Sequence, residues 1–266
     1  MQFVKRNGAS LAYEDVGMGS QPIIFVHGWS CDHTAFEKQS KFFDRSHRVV
    51  SVDLRGHGES DAPDEDYTMA SFADDLAYVC TELGLVKPTV VGHSMGGNVA
   101  LELAARHPTI AGSIVLIDSV VFPPQSFRDA LQLVLKALHG PDHVAVCRQA
   151  MLSTCLTSDD AKTKMQLIAA LPKAPQYVLT STLKNHLIEY DSTPAAAGCR
   201  VPAAYIGAAV PIANLEEFQS LTPQLVIART LGSGHFSPLF VPEQINSMLT
   251  QFLTISSLAA TVDQAK

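Results

Sequence analysis

The sequence predicts an α/β fold, in which helices pack on both faces of a mostly parallel β-sheet. Helical patterns, with apolar residues three and four positions apart, occupy residues 68–83 and 97–106. The four short apolar runs that alternate with such patterns are rich in Val and Ile and lack strict alternation of apolar and polar residues, which is typical of strands buried on both faces. These runs are residues 22–26, 48–52, 88–91 and 113–117. Strand alternating with helix indicates parallel βαβ units.

The start of the chain predicts a different element. Residues 2–16 contain short apolar runs on either side of Asn7-Gly8. Asn-Gly in this position is the favoured signal for a two-residue turn, so we expect a β-hairpin ahead of the parallel strands.

The alternation of strand and helix stops after Asp118. Residues 122–195 show helical patterns separated by prolines and no convincing strand. Strand-like runs and a final helix follow, at residues 203–206, 225–228 and 243–253, and residues 256–266 are expected to fray. Sites of parallel sheets lie outside the carboxyl ends of the strands. We therefore predict an α/β core of residues 1–121 and 196–266, with residues 122–195 inserted at the ligand-binding edge.

Composition excludes several classes of protein. The 266 residues include 19 basic and 26 acidic ones, a net charge of −7, without the basic run of a nucleic-acid binder. The five cysteines form no CxxC pair, which argues against a zinc ribbon or a disulfide framework. The first residues lack a signal-peptide pattern, and the longest uncharged stretch, residues 244–262, is too polar for a bilayer. We expect a cytoplasmic protein with a small-molecule substrate and no nucleic acid, membrane, metal or cofactor; a homodimer is a base-rate expectation only.

The strongest chemical signal is Gly92-His93-Ser94-Met95-Gly96, between a strand-like run and a helical pattern. A G-x-S-x-G sequence in this context predicts a nucleophile elbow. The sharp strand-to-helix turn strains the serine backbone, and small neighbours leave room for the turn to close. The hydroxyl then stands beside the amide donors and positive dipole of the following helix. Ser94 is therefore the predicted nucleophile.

A serine nucleophile needs a base, and in this architecture the chain order is serine, acid, histidine. His235 lies between glycine-rich residues and Phe236, directly after the last predicted strand. This places it in a loop at the carboxyl edge of the sheet, from which the imidazole can reach Ser94. His93 is expected to border the substrate site mainly as a packing residue, because the turn aims neighbouring side chains apart.

The predicted acid is Asp118, which ends a strand-like run one strand beyond the elbow and so lies at the same edge. The next expected position follows residues 203–206, and no carboxylate occurs there. Glu216 and Glu217 are the alternatives, although both resemble first-turn helix residues.

The loop His27-Gly28-Trp29 follows the first parallel strand and is the expected second side of an oxyanion hole. Gly28 would let the backbone approach a substrate oxygen, and the N–H groups of Trp29 and Met95 would donate to it. We also expect Gly28 and the Trp29 indole to contact substrate, and His27 to hydrogen-bond a neighbouring loop.

Two further expectations concern packing. Arg55 and Asp53, in the glycine-rich loop of residues 53–60, are expected to form a local ion pair. Cys31 is expected to be a small buried side chain close to the pocket.

Four motifs in order resemble the α/β-hydrolase superfamily, in particular its small esterase, C–C hydrolase and haloperoxidase-like branch. They are residues 27–29, 53–60, 92–97 and 234–235. The resemblance covers nearly the whole chain outside the insertion and implies an eight-stranded sheet with a helical cap. Many members carry the triad acid after the seventh strand, where this chain has Val210. Others, such as some haloalkane dehalogenases, carry it after the sixth strand, where Asp118 falls, but dehalogenases use an Asp nucleophile in place of a serine.

The function predicted from these residues is hydrolysis of a small-to-medium, mostly uncharged carboxylic ester by a Ser94-His235-Asp118 triad through an acyl-enzyme. Residues 119–199 contain seven basic and six acidic residues, so no anion pocket is indicated. The resemblance also permits C–C hydrolysis of a β-diketone-like acid, or cofactor-free dioxygenation of a heteroaromatic compound with His235 and Asp118 as the base. A ligand-binding receptor with a vestigial triad is the alternative outside enzymes.

Overall fold

One sheet of eight strands forms the centre of the computed structural model, which describes residues 1–263. The strands are β1 (Gln2–Arg6), β2 (Ala9–Val16), β3 (Ile23–Val26), β4 (Val49–Val52), β5 (Thr89–His93), β6 (Ser113–Ile117), β7 (Ala203–Gly207) and β8 (Leu225–Arg229). Their spatial order is β1-β2-β4-β3-β5-β6-β7-β8. Strand β2 is antiparallel to both of its neighbours, and all other pairs are parallel. The predicted α/β fold with a mostly parallel eight-stranded sheet is confirmed.

The described helices are α1 (Glu37–Phe43), α2 (Met69–Glu82), α3 (Met95–Arg106), α4 (Gln125–Leu138), α5 (His143–Leu152), α6 (Ala161–Ala170), α7 (Gln176–Leu183), α8 (Thr193–Gly198), α9 (Leu215–Leu221), α10 (Ser237–Phe240) and α11 (Pro242–Asp263). A 3₁₀ turn precedes α1 at His33–Phe36, and a π-helical turn follows α7 at Lys184–Ile188. None of the helices within residues 1–263 is long and apolar enough to cross a membrane.

Helix α11 is longer than the sequence predicts. It continues to Asp263 rather than ending near residue 253, so the expectation of fraying from residue 256 is wrong as far as Asp263. Residues 264–266, the end of that predicted segment, lie outside the described part of the chain.

Local sequence accounts for the ends of several elements. Asn7 and Gly8 both have positive φ, 51° and 82°, which is the conformation of a type I′ turn and confirms the predicted hairpin. Thr68 and Ser71 form a capping box in which each side chain bonds the other residue's backbone N–H, and α2 begins there. Helix α3 ends at Arg106, just before Pro108, which could not continue it.

The sheet separates two apolar layers. In β3, Ile24 and Val26 pack with one layer, and Ile23 and Phe25 pack with the other. The first layer includes side chains of α2, α3 and α8, and the second includes side chains of α1 and α11. Alternate residues of a strand point to opposite faces, so strands that are apolar throughout can bury both.

Between β6 and β7 the chain is helical, as predicted for residues 122–195: α4 to α7 lie within this segment, and the described residues there form no strand. The expected boundary at residue 195 falls inside α8, which packs against α3. The division of the chain into core and insertion remains a prediction.

The expected Arg55–Asp53 ion pair is wrong. Arg55 is buried and donates two hydrogen bonds to Asp75 of α2, from Nε at 2.7 Å and from Nη2 at 2.6 Å. Arg6 of β1 also pairs with Asp75, which therefore joins the hairpin and the loop after β4 to α2. The Asp53 carboxylate instead accepts hydrogen bonds from the main-chain N–H groups of His33 and Glu59.

Replacing Asp75 should destabilise the fold far more than replacing its neighbour. Asp75→Ala removes the buried partner of Arg55 and leaves the guanidinium only the partly exposed Glu65, 3.0 Å from Nη1, so we expect the free energy of unfolding to fall by about 3 kcal/mol. The matched control is Asp74→Ala, because Asp74 pairs with Arg106 and His107, both of which are partly exposed to solvent; its loss should cost about 1 kcal/mol or less. Urea unfolding at pH 7 measures both values, and equal losses would contradict the burial argument.

Candidate active site

Ser94 occupies a strained turn between β5 and α3. Its backbone has φ 52° and ψ −116°, a positive φ that is rare for residues other than glycine. The chain segments around it touch closely. A Cβ on Gly92 would lie 2.1 Å from backbone atoms of Gly96, and a Cβ on Gly96 would lie 2.1 Å from the Val26 carbonyl oxygen. Only glycine fits at these two positions, so the motif has the backbone geometry that a nucleophile elbow requires.

His235 and Asp118 are joined directly. The Nδ1 atom of His235 lies 2.7 Å from Oδ2 of Asp118, and both side chains are largely buried. The two residues are 117 positions apart, and they meet because β6 and the loop after β8 end at the same edge of the sheet. With the proton on Nδ1 as the donor in this bond, Nε2 is left with its lone pair.

The Asp118 carboxyl is held in its charged form. Burial alone would raise its pKa, but the hydrogen bond from His235, the charge of that imidazole when protonated and a second hydrogen bond outweigh burial and hold the pKa below its usual range. The second bond comes from the Ala208 N–H, 2.9 Å from Oδ1.

The two alternative acids lie elsewhere. Glu216 and Glu217 are in the first turn of α9, as expected. The Glu217 side chain accepts a hydrogen bond from the capping residue Asn214. Neither glutamate borders the cavity that contains His235.

His93 borders the cavity and also holds the loop that carries His235. Its Nε2 donates to the carbonyl oxygen of His235 at 2.9 Å, and the two rings lie 4.6 Å apart. Burial, together with the neighbouring His235, lowers the pKa of His93 to about 3, so the ring is neutral at pH 7. This agrees with the packing role expected from the sequence. The structure adds a specific hydrogen bond that the sequence did not indicate.

The loop after β3 lies against the elbow. A Cβ on Gly28 would lie 3.1 Å from both His93 Nδ1 and Ser94 Cβ, so a side chain at this position would crowd the serine turn. The Trp29 indole is buried and donates to the Leu179 carbonyl of α7 at 3.0 Å. The expected structural role of His27 is confirmed, because its Nε2 accepts the N–H of Leu54 in the loop after β4.

A cavity of about 490 Å³ connects these groups. Gly28, Trp29, His93, Ser94, Asp118 and His235 all border it. Met95, fully buried at the start of α3, does not. Most of the remaining lining is apolar and includes Phe127, Leu131 and Val134 of α4. Cys31 is buried and borders the cavity as expected, and burial raises the pKa of its thiol, so it stays protonated. Within the described residues, no group of three or more His, Cys, Asp or Glu side chains could hold a metal ion.

A buried polar pair behind the serine was not predicted from the sequence. Asn98, one helical turn after Ser94, is fully buried and places Nδ2 2.8 Å from Nε2 of His186 and 2.9 Å from the Val120 carbonyl. His186 belongs to the π-helical turn, a distortion that is frequent at functional sites. Because the partners are 88 residues apart, no local pattern indicates the pair.

Comparison with known proteins agrees with the fold. A sequence model of the family described as the alpha/beta hydrolase fold matches residues 21–240. The AB hydrolase superfamily protein YisY of Bacillus subtilis is 44% identical over 99 residues, which are 37% of this chain and 37% of that protein. Non-heme chloroperoxidase CPO-A1 of Kitasatospora aureofaciens is 36% identical over 141 residues, 52% of this chain and 47% of that protein. The chain thus spans less than half the length of both relatives.

A likeness over nearly the whole chain is found among solved structures. A thermophilic esterase from Thermogutta terrifontis superimposes with a TM-score of 0.84 at 25% sequence identity. The match covers 96% of this chain and 99% of the esterase.

The buried His186 should make the fold sensitive to mild acid. Burial lowers its pKa to about 3 from an ordinary 6.5, so between these pH values the unfolded chain binds a proton that the folded chain does not. The free energy of unfolding then falls with decreasing pH, by about 1.4 kcal/mol per pH unit for this group. In His186→Gln the slope between pH 6.5 and 5, where most paired carboxylates are still ionised, should be smaller by this amount, while burial also lowers the pKa values of His57 and His93 to about 3 and their contributions remain. Urea unfolding across this range compares the variant with wild type, and identical slopes would contradict the assignment.

Proposed function

Because the chain belongs to the alpha/beta hydrolase fold family, we propose that it is a serine hydrolase that cleaves uncharged carboxylic esters through an acyl-enzyme. One observation carries the proposal: the Asp118–His235 pair, joined at 2.7 Å, borders the same cavity as the strained Ser94. The likeness to an esterase over nearly the whole chain supports it further.

In the proposed mechanism, Nε2 of His235 takes the proton of Ser94 as Oγ attacks the ester carbonyl. Asp118 keeps the histidine proton on Nδ1 and stabilises the imidazolium that forms. The imidazolium then gives its proton to the departing alcohol, and water repeats the sequence on the acyl-enzyme. No hydrogen bond joins Ser94 Oγ to His235 among the described groups, and such bonds often tighten only when substrate binds.

The oxyanion would be held by the main-chain N–H groups of Trp29 and Met95. Neither N–H donates a hydrogen bond to another described residue, so both remain available. The space beside Gly28 is so narrow that an added Cβ would lie 3.1 Å from Ser94 Cβ, which puts the Trp29 loop next to the proposed nucleophile. A donor of this kind contributes roughly 3 kcal/mol to the transition state.

The lining of the cavity supports an uncharged substrate. No Lys or Arg side chain occurs among the described residues that border it, and the one carboxylate, Asp118, is already bonded to His235. The apolar side of α4 covers part of the cavity. We therefore propose that residues 122–195 act as a helical cap and that the acyl or alcohol group of the substrate packs beneath it.

Hydrolysis of p-nitrophenyl butyrate by wild type and by Ser94→Ala is the direct test. We expect wild-type turnover between about 1 and 10³ s⁻¹, the ordinary range for enzymes. The variant should lose it to background, because no nucleophile remains. Release of p-nitrophenol measures both rates, and circular dichroism verifies that the variant is folded.

Negligible turnover by wild type would contradict the esterase proposal, and the alternatives then separate. A dioxygenase would consume O₂ with a 3-hydroxy-4-quinolone and keep most of that activity in Ser94→Ala. A C–C hydrolase would cleave a β-diketone-like acid and lose activity in the same variant. A receptor would bind a ligand tightly without turnover.

The identity of the acid has its own test. Asp118→Asn should fold normally but lower kcat by about 10⁴-fold, the size known for the serine protease triad, because the wrong histidine tautomer is favoured. The matched control is Glu216→Gln on α9, which should leave kcat within twofold of wild type. Steady-state kinetics at pH 8 compare the three proteins. The reverse pattern would assign the acid to α9.

The charge preference can be tested with two substrates of the same shape. Ethyl butyrate and monoethyl succinate differ by a carboxylate in place of the terminal methyl of the acyl chain. We expect kcat/KM to be at least about 10²-fold lower for monoethyl succinate, since its carboxylate would be buried without a cation. Proton release in a pH-stat measures both esters. Equal values would show that the acyl chain lies outside the apolar cavity.

A further inference from the structure

The loop that carries His235 is hydrogen-bonded to the segment between α5 and α6. We call residues 232–235 the histidine loop and residues 154–159 the α5–α6 connector. Ser158 Oγ donates to the Gly232 carbonyl at 3.0 Å, and the Gly234 N–H donates to Asp159 Oδ1 at 2.9 Å. The His235 N–H donates to the Thr154 carbonyl at 3.1 Å. Three hydrogen bonds thus attach the loop to a part of the chain that lies between β6 and β7.

Asp159 is the central residue of this contact. Its side chain is buried, and its second oxygen, Oδ2, accepts the N–H of Leu156 at 2.6 Å. One carboxylate therefore satisfies one main-chain N–H in the connector and one in the histidine loop. A buried carboxylate is costly unless it is hydrogen-bonded, so removing it would leave two donors unpaired.

The two segments approach too closely for any side chain at position 234. A Cβ on Gly234 would lie 2.7 Å from Asp159 Oδ2 and 2.8 Å from the Thr154 carbonyl oxygen. The glycine that precedes His235 thus permits the carboxylate to reach the loop.

The backbone and ring of His235 are held from three different parts of the chain. Thr154 accepts its N–H, His93 donates to its carbonyl, and Asp118 accepts from Nδ1. The contacts from His93 and Asp118 come from the ends of β5 and β6. The third comes from the connector, whose residues Thr154, Cys155 and Leu156 also border the cavity.

We propose that Asp159 is a positioning residue for His235: it fastens the histidine loop to the α5–α6 connector and so sets where the imidazole stands relative to Ser94. This inference rests on the proposed function, in which His235 is the general base. Misplacing a catalytic group by about 1 Å can cost about 10²-fold in rate. Substrate binding should depend less on Asp159 than catalysis does, because the connector residues that border the cavity can contact an apolar substrate wherever the imidazole of His235 stands.

The expected effect of Asp159→Ala on ester hydrolysis is a 10- to 100-fold lower kcat with a smaller change in KM. Asp159→Asn retains one oxygen that can accept the Gly234 N–H and should recover a large part of the loss. Asp160→Ala is the matched control. Asp160 is exposed and accepts only from Thr163 at the start of α6, so kcat should stay within twofold of wild type.

A second measurement makes the inference independent of catalysis. Amide hydrogen exchange of a peptide spanning residues 230–236, followed by mass spectrometry, reports whether Gly234 and His235 remain protected. We expect exchange at least tenfold faster in Asp159→Ala and unchanged in Asp160→Ala. If Asp159→Ala does not fold, Asp159→Asn and Ser158→Ala provide the comparison, because each removes part of the contact.

The outcomes separate the two proposals. If wild type does not hydrolyse esters but Asp159→Ala still speeds amide exchange in residues 230–236, the esterase function is rejected and the attachment of the histidine loop by Asp159 is supported. Unchanged exchange in a folded Asp159→Ala would reject the attachment. Faster exchange with unchanged kcat would reject the positioning role. An equal rise in KM and fall in kcat, without recovery by Asn, would also overturn it, because it would indicate general damage to the site.

Discussion

The closeness with which β3, β5 and the start of α3 meet is the constraint on which the rest of the site depends. At Gly92 and Gly96 there is no space for a single extra carbon, and at Gly28 a Cβ would already touch Ser94. Because no side chains separate these segments, the helix N-terminus and the loop after β3 converge on one serine. A bulkier residue at any of these glycines would push apart the groups proposed to share one substrate oxygen.

Around this closely packed centre, the other residues proposed to take part in catalysis lie on loops, and side chains from elsewhere in the chain hold these loops. Trp29 reaches α7, His27 holds the loop after β4, and His93 holds the carbonyl of His235. Neutral imidazoles suit these tasks because each provides one donor and one acceptor in a fixed direction. Burial lowers the pKa of His93, and so keeps its ring in the neutral form that this hydrogen bond uses.

Local patterns in the sequence predicted the fold and pointed to Ser94 as a candidate nucleophile, because both depend on residues that are close together in the chain. The parallel strands, the Asn7-Gly8 turn and the serine motif are of this kind. Contacts between distant segments could not be read in the same way. Arg55 has a nearer carboxylate in sequence at Asp53, yet packing gives it Asp75. In the sequence, Asp159 is one of six acidic residues between positions 119 and 199, and only the folded chain reveals that it meets Gly234.

The position of Asp118, the proposed acid, has a consequence for how this scaffold can change. Asp118 follows β6, and the loop after β7 supports it with the main-chain N–H of Ala208 alone. Every amino acid except proline supplies that group. The side chains of this loop can therefore change without removing the hydrogen bond that supports the Asp118–His235 pair. Val210 and Ile212 follow in the same loop and border the cavity. Evolution or a randomised library could therefore change these two side chains, and with them the shape of the cavity, while Asp118 stays charged.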